Sequence, residues 1–215
     1  MKLISVNIGQ ERTLRQKDRL EKTGIFKFPA SGPVQITASG LRGDFIGSPK
    51  HHGGPDQAVY IYGLSDYQWW TRELSRELPP GTFGENLTVE GLESARFRIG
   101  DRLRIGPALL QVTAPRIPCA TLAARMGDPL FVKRFRQAER PGLYCRVLAE
   151  GPVQVGDPVT IEACTGETVS LLEMFRDYYQ KDRSETELRR YLAAPIAARS
   201  RLEKEDQLKA LLAGK

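Results

Sequence analysis

The sequence is poor in cysteine and histidine, with three and two in 215 residues, and it has no long apolar run. Three widely spaced cysteines, an odd number, do not suggest a disulfide framework and indicate a reducing compartment. No stretch approaches the ~20 apolar residues that a membrane span requires. The N-terminal segment Met1–Gly9 resembles a first strand rather than a signal peptide. We therefore expect a cytoplasmic protein without a membrane segment.

The charge is modestly basic, since 32 Lys and Arg against 26 Asp and Glu leave a formal net charge of +6. A positive field of this size favours an anionic ligand. Nucleic acid is not the favoured partner, because no Lys/Arg run is interleaved with aromatics and no recognition-helix signature occurs. The charge points instead to a phosphate-bearing small molecule.

Short segments of strand character, separated by glycine and proline, fill the chain to about residue 165. They are Lys2–Ile8, Val34–Thr37, Ala58–Tyr62, Asn86–Val89, Asp101–Ile105, Leu109–Val112, Leu143–Leu148 and Pro158–Ala163. This spacing is typical of a β-barrel or sandwich rather than a doubly wound sheet. One helix interrupts the strands, with Ser65 as its expected N-cap and an end before Pro79. A shorter helical pattern covers Thr121–Met126.

The composition changes after Gly166, where glycine almost disappears and apolar residues follow helical spacing. Ser184 and Glu187 form a capping-box pattern, and Pro195 separates a last helix. The sequence therefore predicts a mainly β domain over residues 1–166 and a small three-helix domain over residues 167–215.

The stretch Thr113-Ala114-Pro115-Arg116-Ile117-Pro118-Cys119 combines a thiol, a guanidinium and two prolines. Prolines remove backbone donors, so we expect the sheet to end before this stretch. A fixed positive charge beside a thiol favours the thiolate. Cys119 is thus a candidate reactive or metal-binding residue, although a free cysteine is more often a small buried hydrophobe. Cys145 and Cys164 fall in or next to predicted strands and are expected in the core.

Both histidines lie in Lys50-His51-His52-Gly53-Gly54-Pro55-Asp56. The glycines would let the backbone approach a ligand and expose its N–H groups. The two histidines, Asp56 and Cys119 could ligate zinc. However, adjacent histidines point in different directions, and neither Cys-x-x-Cys nor His-x-x-x-His spacing occurs. A structural turn leading into the next strand is the alternative.

Three further residues are ambiguous when taken alone. Lys27, in Gly24-Ile25-Phe26-Lys27, is either a snorkelling surface lysine or a phosphate or carboxylate contact. Asp44 follows Leu41-Arg42-Gly43, and Asn86 lies in Phe83-Gly84-Glu85-Asn86-Leu87, where it can donate and accept at one turn. Their order along the chain is more informative than any one of them.

Taken in order, these motifs resemble the MOSC domain family, named after the C-terminal domain of molybdenum-cofactor sulfurases. The matching features are Asp44, His-Gly-Gly-Pro-Asp-x-Ala at 52–58, Phe-Gly-Glu-Asn-Leu at 83–87, Gly-Asp-x-Leu-x-Ile at 100–105 and Arg-x-Pro-Cys at 116–119. With Gly-Ile-x-Lys at 24–27 and the C-terminal helices, the chain is most similar to the YiiM-type hydroxylaminopurine-resistance proteins.

The resemblance implies a MOSC-type β-barrel with a few short helices that binds the molybdenum cofactor, molybdopterin. It implies Cys119 as the molybdenum ligand or as a carrier of sulfur. The further residues that it places in the cofactor pocket are Lys27, Asp44, His52, Asp56, Asn86 and Arg116. The implied activity is the reduction of N-hydroxylated compounds, such as hydroxylaminopurines, to amines.

The chemistry of these residues agrees with that activity. A thiolate suits molybdenum, and the anionic pterin phosphate suits Lys, Arg and backbone N–H groups. Histidine is the side chain best suited to deliver a proton near neutral pH, so His52 is the candidate donor, with Asp56 placed to orient it, while His51 lies outside the motif.

An enzyme of this kind would take electrons from a separate reductase, since no flavin or iron–sulfur motif is visible. The alternative is a carrier in which Cys119 bears a persulfide or holds the cofactor passively. The helices after residue 166 and the lack of a pyridoxal-type sulfurase domain in this sequence favour the enzyme. The sequence leaves open whether the protein is a monomer or a homodimer.

Overall fold

A computed structural model describes residues 1–16 and 19–214. The strands are β1 (Lys2–Gly9), β2 (Arg12–Gln16), β3 (Arg19–Thr23), β4 (Lys27–Pro29), β5 (Val34–Thr37), β6 (Gly40–Leu41), β7 (Val59–Gly63), β8 (Leu87–Glu90), β9 (Arg102–Ile105), β10 (Ala108–Pro115), β11 (Leu143–Ala149), β12 (Gly151–Val153) and β13 (Val159–Glu162). The helices are α1 (Pro49–His52), α2 (Leu64–Leu74), α3 (Ala120–Met126), α4 (Phe131–Ala138), α5 (Leu171–Asp177), α6 (Glu185–Ala193) and α7 (Ala198–Ala213), with short 3₁₀ turns at Pro55–Gln57 and Ser94–Arg96.

One large mixed sheet organises the fold, with the strand order β13-β9-β10-β11-β7-β8-β1-β4. β7 and β8 are parallel, and the other neighbouring pairs are antiparallel. Smaller sheets are formed by β12, β5 and β6, and by β2 with β3. The protein is thus rich in sheet, as expected, with helices placed around it.

The expected barrel is not closed. The start of β1 meets Asp157 and the first residue of β13, since Leu3 N–H donates to the Asp157 carbonyl at 2.9 Å and Val159 N–H donates to the Met1 carbonyl at 2.9 Å. Farther along, the same edge of β1 pairs with β4 at Asn7–Gly9. One part of this edge of β1 thus contacts β13 and another part pairs with β4, so no continuous hydrogen-bond ladder closes the sheet. Within the described residues the two end strands, β13 and β4, do not pair with each other.

The prediction that the sheet ends before Thr113 is wrong, because β10 continues to Pro115. Pro115 pairs with Leu143 of β11, whereas β9 leaves β10 after Gln111. Beyond Gln111 only one neighbouring strand remains, so a missing proline donor interrupts at most one ladder. The prolines therefore stiffen the end of β10 rather than prevent it.

The predicted helices are present, and of the two predicted N-caps one is wrong and one is confirmed. The N-cap of α2 is Gly63 and not Ser65. The capping box of α6 is confirmed, since Ser184 N–H donates to Glu187 Oε2 at 2.8 Å and Glu187 N–H donates to Ser184 Oγ at 3.3 Å. Cys145 is buried as expected, whereas Cys164 lies beyond β13 and is half-buried, so its assignment to the core is wrong.

Two apolar clusters fill the interior. The first lies against the large sheet, and the second is rich in aromatic rings. The C-terminal segment contributes to both, with Leu171 and Met174 in the first and Phe175 in the second. Within the described part of the chain, none of the helices is long and apolar enough to cross a membrane.

Candidate functional site

A cavity of about 220 Å³ lies beside the end of β10. It brings together the predicted site residues Lys27, Asp44, His52, Asn86, Arg116 and Cys119. These residues come from segments far apart in the sequence, so the fold assembles what the motif order only suggested. We call this space the thiol cavity.

Lys27 and Asp44 form a buried ion pair in the wall of the thiol cavity. Lys27 Nζ lies 2.5 Å from both carboxylate oxygens. Asp44 also accepts hydrogen bonds from Gly9 N–H at 2.7 Å and from Asn86 Nδ2 at 2.8 Å. Burial lowers the pKa of Lys27, and the carboxylate of Asp44 opposes that change. Lys27 is therefore a buried partner of Asp44 and not a snorkelling surface residue.

Asn86 connects this pair to the large sheet. Its Oδ1 accepts from Tyr60 N–H at 3.1 Å, and its backbone N–H donates to the Tyr60 carbonyl at 2.8 Å. The side-chain oxygen and the backbone N–H of Asn86 are therefore both hydrogen-bonded to Tyr60. These bonds hold the side-chain amide in the orientation in which Nδ2 faces Asp44.

Close backbone packing forms another part of the wall. A Cβ at Gly24 would overlap the Phe45 carbonyl, and one at Gly47 would overlap the Lys22 carbonyl. Only glycine permits these approaches, and they bring the end of β3 against the segment Phe45–Ser48. The Gly-Ile-x-Lys motif therefore serves chain packing as well as the placement of Lys27.

Arg116 is the most informative residue of the cavity. Its side chain is 4% exposed, its guanidinium lies 5.4 Å from the centre of the Tyr60 ring, and it hydrogen-bonds the Tyr144 side chain. Yet Nη1 is buried and has no hydrogen-bond partner among the described residues. A buried donor left unsatisfied costs about 1–3 kcal/mol, and more when it is charged. An anion bound in the thiol cavity would recover that cost.

Cys119 occupies the N-cap position of α3 and is half-buried. Burial raises the pKa of the thiol, but four effects together outweigh burial. They are a hydrogen bond with His52, the positive charge of Arg116, the electrostatic interaction with His52 and the N–H of Leu122, and they bring the pKa from 9.0 to about 6. Cys119 is therefore mostly thiolate near neutral pH, as a metal ligand or sulfur nucleophile requires.

Asp56 does not contribute to the lining of the thiol cavity. Its Oδ1 lies 2.9 Å from Arg146 Nη2, and its Oδ2 accepts from Ala198 N–H at 2.6 Å. The 3₁₀ turn at Pro55–Gln57 directs the carboxylate toward β11 and α7 rather than toward His52. The contacts therefore give no support to the expected role of Asp56 in orienting His52, and the side chain of His51 lies outside the described residues.

The zinc hypothesis finds no ligand set here. Among the side chains that the structure describes, no group of three or more His, Cys, Asp or Glu residues could hold a metal ion. Cys119 and His52 alone are too few for a closed zinc site. A metal that arrives within an organic cofactor needs fewer ligands from the protein.

Sequence reasoning missed the residues that complete the lining. Gln57, Tyr60 and Tyr144 all face the thiol cavity. Gln57 adjoins the histidine motif and could have been suspected from that position. Tyr144 is opposite Tyr60 because β11 pairs with β7, a long-range register that no local pattern reveals.

Comparison with known proteins identifies the family. A family model described as the MOSC domain matches residues 48–160. The protein YflK of Bacillus subtilis is 35% identical over 198 residues, which are 92% of this chain and 90% of that protein. The crystal structure of YiiM from Geobacillus stearothermophilus superposes with a TM-score of 0.79 at 28% identity, over 96% of this chain and 98% of that one. A protein of Gibberella moniliformis named reductase is 35% identical over 155 residues, which are 70% of this chain but 26% of that longer protein. The chain therefore belongs to the MOSC domain family.

Proposed function

We propose that this protein is an oxidoreductase that uses the molybdenum cofactor to reduce N-hydroxylated compounds, such as hydroxylaminopurines, to amines. The observation that carries the proposal is the pairing of a thiolate at Cys119 with an unsatisfied buried guanidinium at Arg116 in one cavity. A soft anionic ligand for a metal and a cationic donor for a phosphate are the two groups that such a cofactor needs.

The residues present fit this cofactor. Cys119 would hold the molybdenum, and Arg116 would hold the anionic pterin side. The charge of Lys27 is largely offset by Asp44, so we assign this pair to the shape of the wall more than to phosphate binding. When bound, the cofactor supplies the two-electron redox chemistry.

The overall reaction consumes two electrons and two protons. The N–O bond of R–NH–OH breaks, a new N–H bond forms, and the oxygen leaves as water. The electrons come from a separate reductase, which this proposal includes as a partner. His52 hydrogen-bonds Cys119 and is the proposed donor of a proton to the leaving oxygen.

The name of one relative supports the proposal that this protein is an enzyme, since the similar protein of Gibberella moniliformis is called a reductase. The second candidate is a carrier of the cofactor or of persulfide sulfur, and the low pKa of Cys119 favours it equally. The two readings differ in whether the loaded protein turns over a substrate by itself.

The test is to measure molybdenum content and turnover of 6-hydroxylaminopurine with an artificial electron donor, in protein made in a host that synthesises the cofactor. Cys119→Ser is expected to lose both molybdenum and activity while its circular dichroism is unchanged. Cys164→Ser, outside the cavity lining, is the control and should retain both. Bound molybdenum without turnover in the wild type would favour the carrier, and protein without molybdenum would refute both readings that involve the cofactor.

His52→Ala separates the proton from the metal. General acid catalysis is worth ~10²–10⁴-fold, so turnover per molybdenum should fall by a factor in that range. Molybdenum content should stay close to that of the wild type. Unchanged turnover per molybdenum would remove His52 from the proton-donor role.

A further inference from the structure

A second cavity, of about 350 Å³, lies on the other side of Cys119. It is enclosed between the stretch 114–119 and helices α5 and α7, and we call it the helix-side cavity. The side chains that line both cavities are His52, Gln57, Cys119 and Tyr144. A ligand in the helix-side cavity can therefore reach the thiol without occupying the thiol cavity.

The four side chains that line both cavities form a partition between them. One of them, Gln57, provides an independent sign that the partition contacts a ligand. Its Oε1 is buried and has no hydrogen-bond partner among the described residues. A buried carboxamide oxygen in that state costs about 1–3 kcal/mol. The missing partner is a hydrogen-bond donor, either N–H or O–H. It must lie close to Gln57, in the partition that also contains Cys119.

The helix-side cavity differs from the thiol cavity in character. Near Cys119 its wall is apolar, with Pro115, Ile117, Pro118 and Met174. Its far end is charged, and Arg183 Nε and Lys204 Nζ each lie 2.5 Å from a carboxylate oxygen of the buried Asp177.

This wall suits a flat heterocycle whose polar edge faces the partition. The unsatisfied Arg116 of the thiol cavity belongs to the anion side, and the unsatisfied Gln57 belongs to both. An anionic cofactor and a neutral, donor-bearing substrate thus find separate compartments that meet at Cys119.

We propose that the helix-side cavity is the substrate compartment, in which Gln57 accepts a hydrogen bond from the N–H or O–H of an N-hydroxylated amidine or amino-heterocycle. The assignment of these ligands as substrates rests on the proposed function. As a binding site, the compartment can be tested without turnover.

Two tryptophan variants on α7 provide a matched pair. Ser200 lines the helix-side cavity and is half-buried, so Ser200→Trp fills the cavity with little risk to the core. Leu202 is 62% exposed and does not line the cavity, so Leu202→Trp is the control. Gln57→Leu removes the acceptor while nearly conserving the volume.

The first measurement uses the loaded enzyme. Gln57→Leu should raise the KM for 6-hydroxylaminopurine about 3- to 10-fold, the range expected for one neutral hydrogen bond, with unchanged molybdenum content. Ser200→Trp should raise KM at least as much, and Leu202→Trp should match the wild type. If the wild type turns over and all three variants keep its KM, the compartment is wrong and the proposed function survives.

The second measurement uses the protein without cofactor and does not depend on turnover. Alkylation of Cys119 by iodoacetamide is followed by mass spectrometry of its peptide, with and without 6-hydroxylaminopurine. Protection is expected in the wild type and in Leu202→Trp but not in Ser200→Trp. Protection by inorganic phosphate, which Arg116 should bind, is expected to persist in all three.

These outcomes keep the two proposals apart. Purine protection that Ser200→Trp abolishes, in a protein without turnover, would uphold the binding site and refute the reductase. Absence of purine protection in the wild type, or equal protection in both tryptophan variants, would overturn the compartment.

Discussion

The thiol of Cys119 is expected to react with a small neutral disulfide at pH values where an ordinary cysteine is almost inert. Its pKa is about 6 instead of 9.0 because His52, Arg116 and the Leu122 N–H together outweigh the opposing effect of burial. The thiolate is the reactive form. The rate should therefore rise with pH through about 6 and approach its plateau just above neutrality.

The size of the effect follows from two opposing factors. At pH 7 a pKa of 6 instead of 9.0 raises the thiolate fraction from about 1% to about 90%. Intrinsic nucleophilicity falls with pKa with a slope of about 0.4–0.5, which costs about 15- to 30-fold over the same change. Cys119 should thus react about 3- to 6-fold faster than an unperturbed cysteine at pH 7, but about 15- to 30-fold slower at pH 10.

The assay is stopped-flow absorbance with dithiodipyridine on protein without cofactor, in a Cys164→Ser background where Cys145 is buried and slow to react. A neutral reagent avoids electrostatic attraction by Arg116. His52→Ala and Arg116→Met should each move the inflection upward, since each removes one of the groups that lower the pKa. A wild-type inflection near 9, or an inflection that neither substitution moves, would refute the electrostatic account of this site.

Two predictions concern stability and use urea unfolding as the measurement. Lys27→Met leaves Asp44 buried without its cation and should lower the free energy of unfolding by about 3–5 kcal/mol. Lys22→Met breaks an exposed ion pair with Glu11 and should lower it by about 1 kcal/mol or less. Equal losses in the two variants would contradict the buried-pair argument. Leu171→Ala, in the core shared by the sheet and α5, should lower the free energy of unfolding by about 2–5 kcal/mol and lower the urea midpoint of one common transition. If the sheet unfolds in a transition that this substitution does not shift, α5 unfolds separately from the sheet.

The motif order predicted most of the thiol cavity because MOSC motifs mark the positions where strands end at the site. Asn86 precedes β8, Arg116 follows β10, and Cys119 precedes α3. Local sequence fixes such positions well. It could not decide whether Lys27 was a surface or a buried residue, since that depends on Asp44 and on close packing at Gly24.

What the sequence could not supply has identifiable causes. β2 and β3 lack alternating apolar residues, so no local pattern predicts their pairing, although Glu21, Lys22 and Thr23 line the thiol cavity. The sequence does not predict that the sheet stays open, because closure depends on β1 pairing with β4 along one part of its edge and contacting β13 along another. Those contacts are tertiary and leave no local pattern. The helix-side cavity needs the docking of α5 and α7, and nothing local indicates that docking.

Asp56 shows why the C-terminal helices belong to the site and are more than an appendage. Its carboxylate joins Arg146 of β11 to the first N–H of α7 at Ala198, and Arg146 Nη2 in turn donates to the Ile196 carbonyl at 3.2 Å. The turn that presents Gln57 is therefore tied to the segment that opens α7. Because α7 also forms one wall of the helix-side cavity, the ion pair and the hydrogen bond of Asp56 together link the position of the acceptor to that of the wall. The carboxylate expected to orient the proton donor instead connects β11 to α7, beside the compartment where the substrate would bind.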